Sequence, residues 1–425
     1  MANIYNASKP KYSGWEWFKY IAARVIFPPV LFWDAIKLGA NRLIGERVGK
    51  IILPAQTHNF DHLAIDATAP IHNSGGLHSE KHQVITHDKA QLDTIEVQHI
   101  SQQTREPEYQ KYIINFVGNG MCYEQIMDEM KEDARTLNAN VVGFNLRGVG
   151  KSVGKATSKQ DLVTDGIAQV QRLLDQGVSP QNITLKGHSL GAGVASMVAQ
   201  HFHQIDQPVN IFNSRSFSSL TNFIVGHIRL DKNQRGEALG QNESLRGKIL
   251  GWLAKPFVAL GIALAKWEIN ASSAFKDIPE AYKDYIVVRS QKNDRSNRID
   301  DGVIPHYASM HKALTSERRD KKAAIDKEIN DLDNKITDLN KTEDRTPLNK
   351  SNLAEVKEAL VQAREQIKSD RKMETAELRD NGHNAAWDSL HNRSGKSAQI
   401  YFKEFVQRIE EDHAISGPRN NQSPG

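Results

Sequence analysis

The 425-residue chain has a single cysteine, Cys122, so no disulfide can form within it and its thiol suits a reducing compartment. Charge of one sign is also missing: 55 Lys and Arg face 51 Asp and Glu, for a net charge of +4. No basic stripe interleaved with aromatics appears, so nucleic acid is not expected as a partner. A long uncharged apolar run is absent near the start. The first candidate, Tyr20 to Ala40, contains Arg24, Pro28, Pro29, Asp34 and Lys37. It reads neither as a spanning helix, which needs roughly 20 mostly uncharged residues, nor as a signal core followed by a small-residue cleavage site. Metal ligands are poorly grouped too. Seven of the sixteen histidines lie between His58 and His99, and His58 and His62 stand at i, i+4. That spacing lacks a cysteine or an evident third ligand, so neither a metal nor a cofactor is expected.

Aromatics make up only 7% of the chain, yet three of the six tryptophans, Trp15, Trp17 and Trp33, fall in the first 33 residues. Indole favours a boundary between water and apolar matter. Residues 1–80 therefore read as an N-terminal aromatic, amphipathic region. It either lies at a membrane surface, through residues 14–45, or packs onto the protein's own core.

Beyond it the chain alternates. Residues His82 to Ile100 read as two strands around a turn at Asp88-Lys89. The apolar runs "KYIINFVGNG" and "NVVGFNLRGVG", then "NITLKG" and "PVNIFNS", read as buried strands, each followed by a helical pattern or a loop. Strands alternating with helices imply an α/β fold with a mostly parallel sheet flanked by helices. Two stretches break this rhythm. Residues 215–283 hold the apolar helical segment Lys248 to Glu268, with Pro256 inside it, and read as a helical cap. Residues 317–372 carry apolar positions Ile325, Ile329, Leu332, Ile336 and Leu339, then Leu353, Val356, Leu360, Ala363 and Ile367. Their 3.5-residue period on both sides of Thr346-Pro347 predicts an antiparallel coiled-coil hairpin, a surface that suits a protein partner. The last ten residues, 416–425, read as a disordered tail.

The chemistry gathers at Gly187-His188-Ser189-Leu190-Gly191, a G-x-S-x-G between a predicted strand and a predicted helix. Such a turn holds its serine in a strained backbone conformation and demands near-absent side chains two residues either side, here Gly187 and Gly191. A serine hydroxyl needs a base within hydrogen-bond reach and an acid to orient that base. "NLRGVGKS" ends like a phosphate-binding loop, but position 145 is asparagine where that motif needs glycine.

With these residues in view, the chain resembles the α/β-hydrolase superfamily of serine esterases and lipases. "VGNGM" (Val117 to Met121) is similar to the family's oxyanion loop, though Val117 replaces the usual histidine. "NLRGVGKSVG" is similar to the stretch after its next strand, and "THDKAQLDTIEV" to its early strand pair, with Lys89 where glycine is common. The resemblance implies an α/β-hydrolase core over 81–425, carrying 215–283 and 317–372 as insertions. It implies Ser189 as nucleophile, and oxyanion donors from the backbones of Asn119 and Leu190. His383, in the setting "GHN", would be the base. The acid would be Asp294, after "YIVVRSQKN", or else Asp301, in "DDGVIP". His188 would support the site without acting as base, because the residue after the strand is expected to point away from the serine's partner.

The apolar segment 248–268 favours a lipid-like acyl ester or thioester as substrate, and a membrane surface nearby. The aromatic N-terminus, "GNGMCYE", "NLRGVGKSVG" and "RSFSSL" together also resemble the lipase-like SidB group of bacterial type IV-secreted effectors. The acidic Glu410 to Asp412 fits such a secretion signal, and the resemblance implies action in a host cytosol. Two other readings stay open: an acyltransferase using the same triad, and a non-catalytic scaffold on a hydrolase fold.

Overall fold

The computed structural model describes residues 2–14, 17–18, 21, 28–60, 63, 75–232, 238–290, 302–341, 347–366, 373–375, 382–392 and 395–416. Its centre is a mixed, mostly parallel sheet of eight strands: β1 (Asn3–Asn6), β2 (Leu77–Ile85), β3 (Gln91–His99), β4 (Tyr112–Phe116), β5 (Asn140–Phe144), β6 (Ile183–His188), β7 (Asn210–Ser214) and β8 (Lys283–Ile286). The spatial order is β1-β2-β3-β5-β4-β6-β7-β8. Only the β2–β3 and β3–β5 pairings are antiparallel. β2 begins five residues before the predicted start at His82. Residues 3–6 pair with β2 as a parallel edge strand, and Leu53, Ala55 and Phe60 join the main core.

β4 and β5 are buried at every residue, as strands covered on both faces must be. Alternation along a strand then shares side chains between the two faces. In β4, Ile114 and Phe116 join one core cluster while Ile113 joins the other. In β7, Ile211 and Phe212 divide the same way. The first face is covered by α3 (Lys159–Asp175) and α4 (Leu190–Gln204). The second is covered by α2 (Met127–Leu137) and α10 (Ala398–Ser416).

Before β2, the long helix α1 (Pro28–Ile52) runs to the core edge, where the fully buried Trp267 donates its indole N–H to the Gly45 carbonyl at 3.1 Å. Between β7 and β8 lie α5 (Leu220–Arg229), a short ribbon of Leu230–Lys232 with Ala238–Glu243, α6 (Leu245–Leu264) and α7 (Ala271–Asp277). Further on, α8 (Met310–Lys341) and α9 (Pro347–Gln366) pack against each other, and Lys357 pairs with Asp333 across them. Leu332 is buried in this pair, whereas Val356 is half exposed. Ile367 lies outside the described residues, as do the tail from 417 onward and all but the edges of the segment between Thr375 and His383.

The two outlying sequence motifs meet as one structural clasp. Arg147 of "NLRGVGKSVG" is buried and donates through Nε to Asp165 at 2.8 Å and through Nη1 to Asp88 of the β2–β3 turn at 2.6 Å. Asp88 also accepts from the Thr86 hydroxyl at 2.5 Å. Lys89 takes φ +73° in that turn, a conformation glycine would adopt freely. Ser152 completes the clasp, donating to the Asn145 carbonyl and accepting from the Asp93 N–H, both at 2.8 Å.

Burial pushes the Asp165 carboxyl up to about 6 despite the guanidinium beside it. Removing that cation should strand a buried charge, which costs about 3–5 kcal/mol. Arg147→Met is therefore expected to lose that much stability at pH 8 by denaturant unfolding. Because the folded carboxyl binds its proton more tightly than the unfolded one, the loss should shrink as pH falls toward 5. An equal loss at both pH values contradicts this account.

Candidate active site

β6 delivers its last residues to the carboxyl edge of the sheet, paired with β4 on one side and β7 on the other: Gly187 stands opposite Phe116 and Asn213. The chain then turns straight into α4. Ser189 sits at φ +53°, ψ −119°, and its N–H donates to the Ser214 carbonyl at 2.9 Å. The turn has no room for side chains around it. A Cβ on Gly187 would stand 2.4 Å from Cα of Ala192, and one on Gly191 would stand 2.3 Å from the carbonyl oxygens of Phe116 and Val117. The strained backbone is held by these approaches, the usual condition under which such conformations persist.

Ser189 Oγ lies 2.8 Å from Nε2 of His383, 194 positions away, and both residues are buried. The structure thus brings together two of the three predicted triad residues. The predicted acids, Asp294 and Asp301, both lie outside the described residues. Asn119 and Leu190, whose backbones were expected to hold the oxyanion, line the same cavity as Ser189 and His383. That cavity is about 250 Å³ and otherwise largely apolar, with Ile52 of α1, Phe223 and Ile224 of α5 and Ile304 in its wall.

Arg215 is the residue that sequence reasoning missed. It follows β7 directly, is buried, and holds φ +54°. Its Nη1 donates to the carbonyls of Gly382 at 3.2 Å and Ala385 at 2.7 Å, one on each side of His383, while Nε donates to Ser214 Oγ at 3.0 Å. Its guanidinium also lies over the Trp387 ring, 5.7 Å from the centroid. The arginine thereby ties the histidine-bearing loop to the strand beside the serine. An arginine directly after a core strand, in "NSRSFS", was the only local sign of it.

The expectation for His188 needs correction. Its ring is not turned away from the serine's partner; it lies 4.9 Å from the His383 ring, tilted by 43°. The bare backbone of Gly118 leaves the ring its place: a Cβ there would come within 2.8 Å of it. Desolvation, then the nearby charge of Arg215, holds His188 far below the usual imidazole range. It stays neutral beside His383 and is not positioned to take the serine's proton.

His188 also borders a second cleft of about 690 Å³, lined in the majority by polar and charged residues, Asn115, Glu129, Lys186 and Gln399 among them, with Trp387 beside them. Lys186 is buried there on Asp133 at 2.6 Å and Glu129 at 2.7 Å, with its ammonium 4.2 Å from the Trp387 ring centroid. Asn115 Nδ2, His188 Nδ1 and Gln399 Oε1 have no hydrogen-bond partner among the described residues. This cleft is chemically suited to water or to the polar part of a ligand. Cys122 is no rival nucleophile: it is buried, and its thiol is pushed up to about 12 by desolvation and Glu124. Among the described residues no cluster has metal-ligand character, and His62 lies outside them.

Comparison with known proteins adds partial likenesses. The family model "Chlamydia CHLPS protein (DUF818)" matches residues 14–209. Multifunctional-autoprocessing repeats-in-toxin proteins of Vibrio cholerae and Vibrio vulnificus are each 28% identical over 119 residues, 28% of this chain but only 3% and 2% of those toxins. Solved structures that align in part include an alpha-beta hydrolase from Vibrio vulnificus (19% identity, TM-score 0.36, covering 51% of this chain and 65% of that one). An esterase of Pyrococcus furiosus (17%, 0.33, 51% and 71%) and an acetyl xylan esterase from Paenibacillus (10%, 0.37, 52% and 72%) align similarly.

The elbow geometry has a direct consequence. Gly191→Ala should cost about 3 kcal/mol, the upper end of overpacking penalties, because its clash is with backbone. Gly193→Ala, whose Cβ would meet only side-chain atoms, Ile269 Cγ2 at 3.2 Å and Ala271 Cβ and Phe217 Cζ at 3.5 Å, should cost about 1 kcal/mol or less. Denaturant unfolding of the two variants measures the difference, and equal losses would contradict the close approach.

Proposed function

We propose that this protein is a serine hydrolase that cleaves carboxylic esters or thioesters with an apolar, lipid-like acyl group. One observation carries the reading: a serine hydroxyl, lifted by a strained strand-to-helix turn, lies at 2.8 Å from an imidazole nitrogen inside a largely apolar cavity. The geometry fits the roles that acyl transfer requires.

Ser189 Oγ attacks the acyl carbon while His383 Nε2 takes its proton. The oxyanion forms between the N–H groups of Asn119 and Leu190, where each preorganised donor is worth roughly 100- to 1000-fold in rate. His383 returns the proton to the departing alcohol or thiol, leaving an acyl-Ser189 ester. Water, deprotonated by the same imidazole, then releases the acid and restores the serine. Asp294, or Asp301 in its place, orients His383 and stabilises its positive state. Arg215 fixes the histidine loop through the carbonyls of Gly382 and Ala385. The neutral His188 adds no competing positive charge beside His383. The apolar cavity takes the acyl chain, and the polar cleft beyond His188 takes the alcohol or the incoming water. An alcohol entering there in place of water would make the reaction an acyl transfer.

Hydrolysis of p-nitrophenyl esters of graded acyl length tests this reading. Ser189→Ala and His383→Ala should each lower kcat at least about 10⁴-fold, with medium chains preferred over acetate. Arg215→Lys, which cannot reach both loop carbonyls, should lower kcat by about 10- to 100-fold with little change in KM, since misplacement of a reacting group has costs of that order. Activity that survives Ser189→Ala, or a native chain inert towards every ester, would overturn the proposal.

A further inference from the structure

We infer that the outward face of α6, with the adjoining end of α1, docks onto an anionic phospholipid bilayer. The cavity at Ser189 then receives its acyl esters from that bilayer; this second half rests on the hydrolase reading, while the docking stands without it.

The first argument is which residues α6 turns outward. It is the one described helix long and apolar enough to span a membrane, and a helix apolar on every side is normally covered all round. In its first half the inward positions are small: Gly247 and Gly251 press against the backbone and side chain of Arg229 in α5, where a Cβ would stand 2.4 and 2.6 Å from Arg229 atoms, and only further along does a large residue, Ile262, turn into the core. The large residues face out at helical spacing: Leu245, Ile249, Trp252, Leu253, Phe257 and Leu260 are all exposed, Trp252 at 73% and Phe257 at 75%. A helix meant to complete the core would carry the opposite arrangement. A contiguous exposed apolar face of this kind marks an interaction surface.

Charge selects the occupant. α6 carries Arg246, Lys248 and Lys255, all exposed, and no acidic residue. Long cationic side chains beside an apolar helix face reach up to anionic headgroups while their stems lie against lipid. A second copy of the chain would instead bring like charges face to face.

Continuity ties the surface to the site. α6 lies against α5, whose opposite side gives Phe223 and Ile224 to the cavity wall. α1 runs beside the far end of α6, with Asn41 Nδ2 donating to the Ala265 carbonyl at 2.9 Å. Its own end places Ile51, 78% exposed, both in the cavity wall and at the surface. An acyl chain leaving a bilayer beside α1 meets Ile51 at the surface and then the apolar lining of the cavity that holds Ser189.

Flotation of the full chain with vesicles of phosphatidylcholine, alone or mixed with phosphatidylserine, tests the docking. The native protein and Ser189→Ala should both float with the mixed vesicles. Trp252→Ser/Phe257→Ser should bind at least about tenfold more weakly, with unchanged melting temperature and unchanged rate on a short soluble ester. Lys248→Ala/Lys255→Ala should lose about fivefold per lysine, on the anionic vesicles only. A native chain that stays at the bottom of the gradient overturns the inference, as does a double apolar variant that floats like the native protein. A dimer split by Trp252→Ser/Phe257→Ser, with no flotation, assigns the face to a second copy instead. Flotation together with an absence of any ester hydrolysis defeats the hydrolase reading and leaves the docking intact.

Discussion

The site depends on one steric constraint: β6 and α4 approach so closely at Ser189 that nothing larger than hydrogen fits at positions 187 and 191. Carbonyl oxygens of Phe116 and Val117 occupy the place a Gly191 side chain would need. Those carbonyls belong to the end of β4 and the start of the loop that carries Asn119. The same contact that forces the serine into a positive-φ turn therefore also fixes the loop expected to hold the oxyanion. Strain at the serine is tolerated because the surrounding sheet is buried on both faces and cannot relax around it.

A second layer of constraint comes from charges taken out of water. Arg147 with Asp88 and Asp165 anchors the strand end after β5 to the β2–β3 turn and to α3. Lys186 with Asp133 and Glu129 anchors β6 to α2, two residues before His188. Arg215 anchors the His383 loop to β7. Buried ion pairs are poor sources of net stability, but losing one partner is costly. These three groups pin the segment after β5, β6 itself and the loop that carries His383.

Much of this was legible in the chain. Ser189 and its two glycines read directly because a tight strand-to-helix turn makes a local demand on five consecutive residues. His383 read from its neighbours Gly382 and Asn384, although the 194 positions between it and Ser189 carry no spacing rule. Arg215 escaped notice because its partners are the backbone carbonyls of residues 382 and 385, and no side-chain pattern marks a carbonyl acceptor. His188 was misplaced because its direction depends on the turn at Ser189 and on the empty space over Gly118, neither of which a strand pattern encodes. The apolar segment 248–268 read as helix, but hydropathy alone does not say which side of a helix is covered. The inward packing of Gly247 and Gly251 against Arg229 decides it.

The central claim is that Ser189 Oγ is an activated nucleophile. Its most direct test is the intact mass of the full chain after incubation with a small fluorophosphonate, followed by peptide mapping. The account predicts a single phosphonyl adduct per chain, carried by the peptide containing Ser189. A native chain whose mass is unchanged, or an adduct on another serine, would contradict it.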